Sequence, residues 1–149
     1  MAHIGVAAGN RVERGERMGV PFVAVVDEVP EILTLMDEIL GDEEYRVVTG
    51  TNADDIEGIL VRERPGLLIL DVRLPGAVTG LPLLRAIREK PETAHLPILV
   101  ATADLNFLRE NAGALKDLGC ETLAKPFDID AFLGCVGTLI PAHDRTEVA

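Results

Sequence analysis

Short apolar runs alternate along this chain with stretches whose apolar residues recur every three or four positions. "PFVAVV" (21–26) reads as a β run that ends at Asp27-Glu28. "PEILTLMDEIL" then places Ile32, Leu35, Met36, Ile39 and Leu40 at helical spacing, with Pro30 near the helix start. "YRVVTG" is a second, weaker strand. Asn52 is the expected cap of the next helix, where Ala53, Ile56, Ile59 and Leu60 share a face. "GLLIL" is a third strand closed by Asp71, and a helix over 81–89 follows with Leu83, Leu84 and Ile87 apolar. "LPILVAT" is the fourth strand. A helix over 106–117 should stop at Gly119, and "ETLA" is a short fifth strand. "DIDAFLGCVGTLI" completes the series as a helix capped by Asp128, burying Ile129, Phe132, Leu133, Val136 and Ile140 and ended by Pro141.

Five βα units with continuous apolar strands predict an α/β fold, a parallel sheet covered by helices on both faces. Crossovers should be right-handed. Residues 21–140 carry this pattern. Residues 1–20, rich in Gly, Arg and Glu, are expected to form a flexible arm, and residues 141–149 a polar tail. Met18 stands just before the first strand, so residues 1–17 are open to reading as an upstream start.

Charge and composition narrow the function. The chain has 149 residues, 48% of them hydrophobic, enough for one domain with a core. Its formal net charge of -11 and pI near 4.6 repel phosphate backbones, so nucleic acid is not an expected partner. No signal peptide is recognisable and the apolar runs are too short to span a bilayer, so a cytoplasmic protein without a membrane partner is expected. Cys120 and Cys135 then read as reduced, packed thiols. His3, His95 and His143 lack ligand spacing and read as surface residues.

In a parallel sheet, functional groups gather past the carboxyl ends of the strands. Here strand one ends in Asp27 and Glu28, strand three in Asp71, strand four in Thr102 and strand five in Lys125. Each alone is ordinary: an Asp after a strand usually forms a turn, and a Thr there reflects β propensity. Together they are not. Three carboxylates on one rim call for a cation, and an oxygen-rich set suits Mg²⁺. Thr102 and Lys125 add a hydroxyl and a positive charge, which an incoming phosphoryl group needs.

On these pieces, "VVDE" (25–28), "LLILDVRLPG" (67–76), "LVATAD" (99–104) and "LAKPF" (123–127), the chain resembles the receiver domain of two-component response regulators. The likeness covers roughly residues 21–140. It implies a flavodoxin-like five-stranded sheet of order 2-1-3-4-5. It also implies that Asp71 accepts a phosphoryl group from a histidine kinase or phosphotransfer protein. Asp27, Glu28, Asp71 and the Arg73 carbonyl would hold Mg²⁺. Thr102 would move toward the phosphoryl oxygens, Lys125 would pair with Asp71, and small Ala103 would leave the site open. A cis Lys125-Pro126 bond is expected, as is a partner-facing surface made by the fourth helix, fifth strand and last helix.

Three departures qualify the likeness. The acidic pair is Asp-Glu where Asp-Asp is commonest. Thr122 stands where the family carries a switch aromatic. Only "PAHDRTEVA" follows the last helix, so the expected protein is a stand-alone regulator and not an enzyme beyond its own phosphoryl transfer. A second reading is a binding module of the same fold that no longer depends on phosphorylation. An aspartyl-nucleophile phosphatase would need an Asp at the position of Arg73, and a flavin carrier would not want the acidic "DEVPEI". Arg73 and Asp104, each two residues past a key group, are expected to meet across the rim.

Overall fold

The computed structural model describes residues 22–140. The expected arm (1–20) and tail (141–149), with His3, His143 and Pro141, lie outside them. Five strands, β1 (Phe22–Val26), β2 (Arg46–Gly50), β3 (Leu67–Leu70), β4 (Ile98–Thr102) and β5 (Cys120–Ala124), form one parallel sheet of order β2-β1-β3-β4-β5. The helices are α1 (Pro30–Asp42), α2 (Ile56–Glu63), α3 (Gly80–Glu89), α4 (Leu105–Glu110), α5 (Ala112–Asp117) and α6 (Ile129–Leu139).

Period-two alternation divides each strand between two cores. Ala24, Val26, Leu68, Leu70, Ile98 and Val100 face Ile56 and Ile59 of α2, Leu83, Leu84 and Ile87 of α3, and Leu115 of α5. Val23, Val25, Leu67, Ile69, Leu99 and Ala101 face Leu33, Met36, Ile39 and Leu40 of α1 and Phe132 and Val136 of α6. With both faces covered, each fully buried Leu or Ile contributes about 1.5–3 kcal/mol of transfer free energy. This double layer is the platform on which the strand ends stand.

Four expectations need correction. Leu35 is 44% exposed, and Leu33 takes its place in the core. The apolar arc of α1 is wider than its packed face, which centres on Met36 and Leu40. Ile129 is 51% exposed because the first turn of α6 lies at the rim, where Asp128 caps it by accepting from the Ala131 N–H at 2.6 Å. Asn52 makes no capping bond with its side chain, and the segment it precedes opens as a 3₁₀ turn over Ala53–Asp55. The helix expected over 106–117 begins at Leu105 and breaks at Asn111 (φ −115°, ψ 18°) into α4 and α5. The Asn111 side chain donates to the Phe107 carbonyl at 2.9 Å, and Asn111 and Gly113, both weak helix formers, offer little resistance to the break.

Both cysteines are free. Burial pushes the Cys120 thiol up, against the pull of the Arg88 guanidinium, and pushes Cys135 up as well. His95 is exposed. Among the described residues no helix is long and apolar enough to cross a membrane.

Candidate functional site

Asp27 and Asp71 leave neighbouring strands at the same level. Val26 pairs with Leu70, and the Asp71 N–H donates to the Val26 carbonyl at 3.2 Å. Each carboxylate divides its oxygens in the same way. Oδ1 of Asp27 accepts from the Val29 N–H and Oδ1 of Asp71 from the Arg73 N–H, both at 2.9 Å. The Oδ2 atoms converge on one ammonium: Lys125 Nζ donates to Asp71 Oδ2 at 3.1 Å and also to Asp27 Oδ2. Oδ1 of each residue therefore orders its own loop, while Oδ2 carries the charge contact.

Burial raises the stakes of this triad. The side chains of Asp27, Asp71 and Lys125 are 3%, 12% and 13% exposed. Charges so far from water depend on one another, and removing one leaves the others uncompensated.

Lys125 is placed from two sides. Its N–H donates to the Thr102 carbonyl at 2.9 Å, continuing the β4–β5 ladder, and the Lys125-Pro126 bond is cis, as expected. Phe127 then stacks on Phe132 of α6, with ring centroids 5.1 Å apart, and ties the β5 loop to the core.

Thr102 is fully buried, and its Oγ1 accepts from the Asp104 N–H at 3.2 Å. Ala103 is exposed beside it. Asp104 serves two partners. Oδ1 caps α4 by accepting from the Phe107 N–H at 3.0 Å, and Oδ2 lies 3.6 Å from Arg73 Nη1. The expected meeting of Arg73 and Asp104 is thus present, with the Arg73 side chain 66% exposed. Glu28 is exposed, and no contact joins it to the triad.

After Asp71 the chain alternates again. Val72 and Leu74 are buried while Arg73 points out, so two apolar pegs seat the loop that carries the carboxylate. Gly76 has φ +140°, and a Cβ there would come within 2.8 Å of the Ala53 Cβ. Only glycine suits both constraints.

The donor set is one of hard oxygens, suited to Mg²⁺. Among the described residues no three His, Cys, Asp or Glu side chains gather tightly enough to form a metal cage. That is no obstacle, because Mg²⁺ takes one or two carboxylates and fills the rest with carbonyls and water. A groove of about 1010 Å³ lies elsewhere, between α2 and α3, and includes none of Asp27, Asp71 or Lys125.

Residues 23–136 match the response regulator receiver domain. The chain belongs to the receiver-domain family of response regulators. This receiver is 31% identical over 120 residues to sporulation initiation phosphotransferase F of Bacillus subtilis, covering 80% of the chain and 93% of that protein. It is 41% identical over 83 residues to the phosphate regulon transcriptional regulatory protein PhoB of Rhizobium meliloti, covering 56% of the chain and 36% of that longer regulator. Its fold superposes on the non-phosphorylated HemR receiver domain of Leptospira biflexa with a TM-score of 0.72 at 26% identity, covering 81% and 94% of the two chains.

Sequence reading of this receiver missed the residues that hold the site's loops: Ala53, Asp54, Phe127 and the Asp104 cap. Asp104 had a local signal, since it stands three residues before the Phe107 N–H it accepts from. Phe127 stacks on nearby Phe132, whereas Ala53 and Asp54 bond to a loop distant in the chain, where no short motif reports them.

Proposed function

We propose that this receiver is a phosphorylation-switched signalling module, with Asp71 accepting a phosphoryl group from a histidine kinase or phosphotransfer protein. The observation that carries the reading is the Lys125 ammonium held 3.1 Å from Asp71 Oδ2 and bound to Asp27, at the carboxyl end of a buried strand. In the transfer, an Asp71 oxygen attacks phosphorus in line with the donor nitrogen. The N–P bond breaks, its electron pair stays on the imidazole, and an O–P bond forms. A nucleophile mounted on β3 loses little orientation entropy in reaching that geometry.

Asp27, Glu28, Asp71 and the Arg73 carbonyl would hold Mg²⁺, with Asp27 in water-mediated contact. Three carboxylates against one ammonium leave an excess charge that a divalent cation would offset. Bound there, the metal would supply charge neutralisation for the phosphoryl oxygens. Lys125 follows the charge from carboxylate to phosphoryl group. Thr102 exchanges its bond to the Asp104 amide for one to a phosphoryl oxygen, which moves the start of α4. The surface of α4, α5, β5 and α6 carries that change to a protein partner. Residues 21–140 form the signalling unit, which works in the cytoplasm. Its action as a stand-alone module draws support from the B. subtilis relative, of which the chain spans 93%.

Intact mass after incubation with acetyl phosphate and Mg²⁺ tests the reading. One added phosphoryl group, absent from the Asp71→Asn variant, is the expected result. An unchanged mass would favour a phosphorylation-independent binding module.

A further inference from the structure

The loop that begins at Asp71 is fastened at its far end by a distant part of the chain. The Pro75 carbonyl accepts from the Ala53 N–H at 2.8 Å, and the Ala77 N–H donates to Asp54 Oδ1 at 3.2 Å. Between them Gly76 lies against Ala53, with no room for a side chain. Three consecutive loop residues therefore meet two consecutive residues of the 3₁₀ turn that opens α2.

The use made of Asp54 is unusual for its position. A carboxylate in a first helical turn ordinarily accepts from the free N–H groups of its own helix. Asp54 Oδ1 instead accepts from an amide 23 residues away. Its neighbour Asp55 handles the local chain, accepting from the Thr51 N–H at 3.2 Å. The near end of the loop is set by the buried Val72 and Leu74 and by the Arg73 N–H on Asp71 Oδ1. The Arg73 peptide thus sits between a fixed end and one that Asp54 holds.

We propose that Asp54 is a positioning residue for phosphorylation: through the Ala77 amide it holds the Pro75-Gly76 turn, and with it the Arg73 peptide that orients Asp71. The inference rests on the reading of Asp71 as the acceptor. Asp54 itself has no contact with Asp71, Asp27 or Lys125, so its effect passes through the loop backbone. It also makes the start of α2 a second element, apart from α4, that is joined to the phosphorylation site.

The test compares Asp54→Ala, Asp54→Asn and Glu57→Ala in the full chain. Labelling by acetyl phosphate with Mg²⁺ is followed by intact mass, Ala77 amide exchange by NMR and folding by thermal melting. Loss of one exposed hydrogen bond predicts labelling about two- to threefold slower in Asp54→Ala, with Ala77 exchange faster by a similar factor. Asp54→Asn keeps an acceptor oxygen and should restore most of the rate. Glu57→Ala breaks only the bond from α2 to Lys90 and should label as wild type does. Wild-type labelling by Asp54→Ala despite faster Ala77 exchange would overturn the proposal, as would equal slowing by Glu57→Ala. Failure of the underlying reading looks different: the wild-type chain itself takes no phosphoryl group.

Discussion

β3 and β5 deliver the two ends of the central ion pair under opposite mechanical conditions. All four residues of β3 are buried, and the strand pairs with β1 on one side and β4 on the other. β5 is an edge strand paired only with β4; Cys120 is buried, while Glu121, Thr122 and Ala124 are exposed. Asp71 therefore leaves a segment that cannot shift without breaking two ladders and disturbing both cores. Lys125 leaves one held by a single ladder, the half-buried Leu123 and the Phe127 stack. On the proposed reading, the nucleophile gains from the first arrangement, and a charge that would follow a new phosphoryl group gains from the second. Thr122, exposed on that edge, adds no aromatic bulk to stiffen it.

The largest expected effect breaks the comparison at its rigid end. Asp71→Asn removes the proposed nucleophile while keeping the shape, so acetyl-phosphate labelling should vanish; Lys125→Met should still label, more slowly. Labelling of Asp71→Asn at the wild-type level would assign the acceptor elsewhere.

The next effect concerns stability. Leu68 is fully buried in mid-β3, and Leu68→Ala should cost about 2–5 kcal/mol in denaturant unfolding. Thr122→Ala on the exposed edge should stay within roughly 0.5 kcal/mol. Equal costs would mean that the edge strand is as tightly built as the central one.

The same contrast governs what was legible in the sequence. The continuous apolar runs of β1, β3 and β4 made the parallel sheet readable, because central strands bury both faces and must be apolar throughout. Asp27, Asp71 and Thr102 were readable for a related reason: each is the first polar residue after such a run or the last residue in it. Lys125 follows the mixed edge strand β5 and was readable only with its neighbours in "LAKPF". The misses have separate causes. Leu35 and Ile129 obey helical spacing, but spacing does not say which part of a wide apolar arc meets the sheet. Asn52 looked like a cap by type, whereas its side chain makes no capping bond and Asp54 is engaged by a loop 23 residues away. The break at Asn111 combines weak propensities with a side-chain bond that no hydrophobic pattern encodes.

A smaller effect sharpens the role of Lys125. In Lys125→Met, Asp27, only 2% exposed, loses its one cationic partner in the triad and keeps the Val29 amide alone. Leaving a buried charge underpaired predicts a loss of about 1–3 kcal/mol without divalent cation. Mg²⁺ should restore part of it if the carboxylates bind the metal. A variant as stable as wild type, and unmoved by Mg²⁺, would show that the ammonium does not hold the pair together.

The smallest effect lies at the solvent edge of the site. Arg73 Nη1 and Asp104 Oδ2 are 3.6 Å apart, with side chains 66% and 29% exposed. A pair this open is worth about 0–1 kcal/mol, so its influence on phosphoryl lifetime should be less than roughly tenfold. Its position still matters, since it joins the loop after β3 to the residue that caps α4, spanning the rim across which water must approach. Asp104 serves that cap as well, so Asp104→Ala alone will mix a loosened helix start with loss of the pair. Arg73→Ala removes the pair and leaves the cap. Autodephosphorylation rates of the two single variants and the double variant separate these contributions. If the pair restricts water, the double variant should lose phosphoryl groups no faster than Asp104→Ala alone. Strictly additive effects would mean that the two side chains act independently.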